Sequence, residues 1–75
     1  MEIYRIFNTL EESKNEIINI KATNHLVPFY IMELSNGKII VIIHAIWRNS
    51  IRYKYFIKNY RPLVDYKLLK GAKEL

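Results

Sequence analysis

The chain has no cysteine, and only two glycines and two prolines among its 75 residues. Without cysteine there can be no disulfide and no thiolate zinc site. With so little glycine there is no phosphate-cradling loop and no dinucleotide fingerprint. Long apolar runs are also missing. The most apolar stretch, Ile39 to Trp47, contains His44 and is far too short to span a bilayer. The opening Met1-Glu2-Ile3-Tyr4-Arg5 lacks the basic and apolar regions of a secretory signal. These features predict a cytoplasmic protein with no membrane association.

Nucleophile signatures are lacking as well. Ser13, Ser35 and Ser50 have no G-x-S-x-G context. Glu11, Glu12 and Glu16 fall on the expected solvent side of a helix, where carboxylates cap and solvate rather than catalyse. His25 and His44 are nineteen residues apart with no acidic cluster beside them, so no metal site is expected. Metal-free cleavage of a phosphodiester would have to draw on Arg48, Arg52, Tyr53, Lys54 and His44, which form no recognisable constellation. The sequence predicts a non-enzymatic protein with no cofactor.

What the chain does have is apolar residues, 51% of the total, enough for one domain with one core. A domain this small is thinly stabilised, and a partner subunit is one remedy. It also has a lopsided charge. Residues 1–47 hold four basic and five acidic side chains, whereas residues 48–75 hold eight basic and two acidic ones. The whole net charge of +5 therefore arises in the last third, which points to an anionic partner.

Alternating β-formers at Ile3, Tyr4, Ile6 and Phe7 predict a strand over 2–7. Thr9-Leu10-Glu11-Glu12 has the form of a capping box, opening a helix over 10–21 with Leu10, Ser13, Ile17, Ile18 and Ile20 facing the core. Phe29 to Leu34 and Ile39 to Ile46 flank Ser35-Asn36-Gly37-Lys38. Asn-Gly suits a two-residue type I′ turn, which sets Leu34 opposite Ile39 and Met32 opposite Val41. Phe29, Ile31, Ile40, Ile42 and His44 then share one face, apart from Tyr30, Met32, Val41 and Ile43. Both faces of the second hairpin strand are apolar, so it should be buried on both sides. The helix covers one face. The C-terminal tail or a second copy of the chain must cover the other.

Beyond Trp47, Arg48-Asn49-Ser50 reads as a turn. Ile51, Tyr53, Tyr55 and Ile57 then alternate with Arg52, Lys54, Phe56 and Lys58, which favours a further strand. A helix over 50–60 is the competing reading, since Tyr53, Phe56, Ile57 and Tyr60 are also three or four apart. Pro62 is expected to end this element, and a short terminal helix can follow. The predicted fold is α+β: a small antiparallel sheet with one packed helix, in the order β-α-β-β-β.

Two surfaces could carry function. The basic–aromatic segment offers Arg48, Arg52, Lys54, Phe56, Lys58, Tyr60 and Arg61 to DNA or RNA, with cations on phosphates and an aromatic ring against a base. It matches no standard nucleic-acid motif, and an outer edge strand would also favour lysines. Alternatively Phe29, Ile31, Ile40, Ile42, His44 and Trp47 form a homodimer or protein-partner interface, as in a small regulator or inhibitor.

Overall fold

The computed structural model describes residues 2–24, 28–44 and 58–75. Strand β1 (Glu2–Phe7) leads into helix α1 (Leu10–Asn24), then β2 (Phe29–Glu33) and β3 (Ile39–His44). Two short strands follow, β4 (Arg61–Pro62) and β5 (Lys73–Glu74), with a 3₁₀ turn at Tyr66–Leu69 between them. The sheet is antiparallel throughout, in the order β4-β1-β3-β2-β5. This is the expected α+β class. Trp47 and the predicted strand, up to residue 57, lie outside the described residues, while Lys58 and Asn59 are helical rather than extended.

The central strand explains the architecture. Ile39 to Ile43 are each 3% exposed or less. Burial of an isoleucine side chain contributes about 1.5–3 kcal/mol, so this run dominates the core. One side packs Val41 and Ile43 with Ile3, Phe7, Ile20 and Tyr60, with Ile17 and Phe29 against them. The other packs Ile40 and Ile42 with Leu34 and Leu63, and with Tyr4, Met32, Leu68, Leu69 and Ala72 around them.

The second face is thus covered by the tail of the same chain. From β4 beside β1, the tail crosses this face and ends as β5 beside β2. It is tied down at both ends. The Leu63 N–H donates to the Glu2 carbonyl (2.9 Å) and the Leu75 N–H to the Ile31 carbonyl (3.2 Å). Between them, the Tyr66 hydroxyl donates to Glu2 Oε1 (2.8 Å). Pro62 is the last residue of β4. It sits in an edge strand, where its missing N–H costs no ladder bond.

The hairpin register differs from expectation by one residue. Glu33, not Leu34, pairs with Ile39, and Met32 pairs with Ile40. The turn is the reason. Gly37 has φ +85° and, among the described residues, only glycines have positive φ, so Asn36 is not in the left-handed region that a type I′ turn requires. The Gly37 N–H donates to the Leu34 carbonyl (2.9 Å), and the Leu34 N–H to the Lys38 carbonyl (2.8 Å). This is a three-residue loop, a type I turn closed by a left-handed glycine. The Lys38 N–H also donates to Asn36 Oδ1 (2.9 Å). A one-residue slip turns β2 over. Phe29 and Ile31 therefore stand beside Ile43 and Val41 on the helix face, opposite to Ile40 and Ile42.

Helix α1 starts as its sequence suggests. The Glu12 N–H donates to Thr9 Oγ1 (3.2 Å), and the Thr9 hydroxyl donates to Glu12 Oε1 (3.1 Å). Its buried side is rotated from expectation. Ser13, Glu16 and Ile20 are buried, whereas Leu10 and Ile18 are 39% and 64% exposed. Glu16 was expected in solvent.

Candidate functional site

Arg5 decides where Glu16 goes. It lies between Ile3 and Phe7 on the core side of β1, where a cation needs both cover and a counter-charge. Its guanidinium stacks 4.9 Å from the Phe7 ring centroid and lies 3.5 Å from Glu16 Oε2. The same oxygen accepts a 2.6 Å hydrogen bond from the Tyr60 hydroxyl. Glu16 is 6% and Tyr60 4% exposed, so this bond sits within the core beneath α1. Tyr60 is therefore a core residue, and the expectation that it would face nucleic acid is corrected.

The segment that Tyr60 anchors opens into a groove. β4 pairs with β1 only at Ile3 and Tyr4. Where that ladder stops, Tyr4, Arg5, Ile6, Asn59 and Arg61 line a recess of about 210 Å³. No acidic residue is in its lining. Arg61 is exposed and takes part in no ion pair among the described residues. Arg61 is the cross-strand partner of Tyr4, so both project on the second sheet face.

Of the predicted nucleic-acid residues, the structure thus places Lys58 and Arg61 in solvent and Tyr60 inside. Arg48, Arg52, Lys54 and Phe56 lie outside the described residues. Of the predicted interface residues, Ile40 and Ile42 are buried under the tail, and Phe29 and Ile31 are half-buried on the opposite face. His44 is exposed at the end of β3 and is not a core residue. Trp47 is outside the described residues.

The groove residues Tyr4, Arg5, Ile6 and Asn59 were not singled out from the sequence. Arg5 carried a usable signal, since a charged residue alternating with Ile3 and Phe7 on an apolar face needs a partner. Among the described residues, no group of three or more His, Asp or Glu side chains could hold a metal ion. No described helix is long and apolar enough to cross a membrane. No protein family, curated protein or solved structure matches this chain.

Proposed function

We propose that this is a small cytoplasmic binding protein that contacts nucleic acid by neutralising phosphates with the basic–aromatic stretch 48–61. One observation carries the reading. Arg61, which ends that stretch, stands exposed and, among the described residues, without a counter-ion, on the rim of a groove whose described lining holds no acidic residue. Lys58, three residues earlier, is also exposed. An exposed cation on the rim of a concave surface, with a second exposed cation nearby in the sequence, suits a polyanion better than solvation alone would require. The cover that the tail gives Ile40 and Ile42 favours this over a docking or dimer surface on the second sheet face.

Fluorescence anisotropy with labelled oligonucleotides at about 50 and 200 mM salt tests the reading. Three phosphate contacts through Arg52, Lys54 and Lys58 give a log–log slope of about −2.7, so affinity falls by about 40-fold over that range. Changing those three residues to Ala removes most of the dependence. Binding that ignores salt, or that the triple variant retains in full, overturns the proposal.

A further inference from the structure

We infer that the groove beside Arg61 receives one unpaired base, which makes the protein selective for single-stranded nucleic acid. The inference rests on the nucleic-acid reading above and specifies the form of its ligand.

The floor of the groove is apolar and partly aromatic. Tyr4 is half-buried and packs against the Ile40 and Ile42 group, while its neighbour on the same face, Ile6, is the Cα partner of Ile40. The tail covers the middle of this face with Leu63, Leu68, Leu69 and Ala72, yet leaves Ile6 36% exposed. Ile6 and part of the half-buried Tyr4 therefore remain open to solvent beside β4, where the tail's cover stops short of the end of β1. Arg61 is the Cα partner of Tyr4 and lines the same recess, which adds a cationic side chain to its rim.

Size and charge select the occupant. At about 210 Å³ the recess is smaller than the roughly 300–1,000 Å³ of pockets that enclose whole small-molecule ligands. It suits one planar ring whose remainder runs along the surface. A base against Tyr4 and Ile6 buries apolar area, while Arg61 meets the adjoining phosphate and Lys58 lies further along the same cationic stretch. A peptide aromatic ring would fill the floor equally well but would give Arg61 no anion. In a duplex the base faces are stacked on one another and only phosphates would reach the rim. The groove contact is therefore open only to a strand with an unpaired base.

The test compares short single-stranded and hairpin-duplex oligonucleotides of equal charge, using the full chain. Single strands should bind about tenfold more tightly, the scale of one base stacked on an aromatic residue. Tyr4→Leu keeps the buried bulk and removes the ring. It should bring single-strand affinity down to the duplex level and leave the salt slope unchanged. Arg61→Gln should weaken both forms and flatten the slope by about 0.9 for the duplex and about 0.7 for the single strand. Should Tyr4→Leu fail to fold, NMR of the wild-type chain titrated with the single strand gives an independent reading. The Tyr4 ring and the Ile6 and Arg61 amides should shift first. Equal binding of both forms, or no shift at Tyr4 and Ile6 on saturation, overturns this inference alone. Absence of any binding overturns the underlying reading with it.

Discussion

The Tyr60 hydroxyl donates a 2.6 Å hydrogen bond to Glu16 Oε2 across 44 residues of sequence. It ties the middle of α1 to the start of the tail, with both partners buried. A hydrogen bond to a charged group contributes about 1.5–3 kcal/mol, and its loss leaves a buried carboxylate short of a donor. Tyr60→Phe should therefore cost about 2 kcal/mol and lower Tm by roughly 10 °C. Glu16→Gln keeps an acceptor oxygen and should cost less. In a double-mutant cycle by urea unfolding that combines Tyr60→Phe with Glu16→Ala, which removes the acceptor, the two should couple by about 1 kcal/mol or more. Additive effects would mean that the bond does not contribute to stability.

Gly37 is a separate test of the hairpin. Its φ is +85°, and a Cβ built there would meet nothing within 4 Å. Any cost of Gly37→Ala is thus backbone strain alone, about 1–2 kcal/mol. Gly37→Asn should lose less, because asparagine tolerates the left-handed region. If alanine proved the better of the two by thermal unfolding, the loop geometry described here would be wrong.

The strands were legible from their concentration of β-branched and aromatic residues, and the helix from its Thr9–Glu12 cap rather than from its apolar period, which misplaced Leu10, Ile18 and Glu16. Ile3, Tyr4, Ile6 and Phe7 are β-formers crowded into six residues, and the five consecutive apolar residues from Ile39 announce a strand buried on both sides. The hairpin register was not legible, because Asn36-Gly37 satisfies two loops. A type I′ turn uses both residues with positive φ, whereas the three-residue loop uses Gly37 alone. The choice between them moved Phe29 and Ile31 to the other face. The tail was hidden for a different reason. Strands of two residues, such as Arg61–Pro62, are too short to show a period. At the site, the exposure of Lys58 and Arg61 followed from charge alone. The burial of Glu16 required knowing that Arg5 shares the helix-side face of β1 with Ile3 and Phe7, close enough to pair with it.

Tyr66 offers a pH-dependent reading of the tail. Its hydrogen bond to Glu2 raises its pKa above the ordinary 10.0, with slight desolvation and the nearby Glu2 charge acting in the same direction. The folded state thus favours the protonated phenol. The contribution is fully present below the pKa of the unfolded chain and is lost as pH rises through the higher folded value. Subtracting the ultraviolet titration of Tyr66→Phe from that of the wild type isolates this tyrosine, which should titrate above 10.0. Glu2→Gln should bring it back down. A difference curve that ignores Glu2→Gln would show that the bond does not form in solution.

Leu63 closes the second face. It is 6% exposed and packs with Ile40 and Ile42, so Leu63→Ala removes cover from the most buried strand. Such substitutions cost about 2–5 kcal/mol. A chain of 75 residues has a total margin of only about 4–11 kcal/mol, at roughly 0.05–0.15 per residue. The variant should retain its helix by circular dichroism while its urea midpoint falls sharply. Leu63→Asp goes further, since a carboxylate cannot stay against Ile40 and Ile42 without a partner. The tail should lift, and the face beneath it should bind a hydrophobic dye and drive self-association, read by light scattering. A Leu63→Asp protein that stays monomeric, dye-free and as stable as the wild type would mean that the tail is not what shields this face.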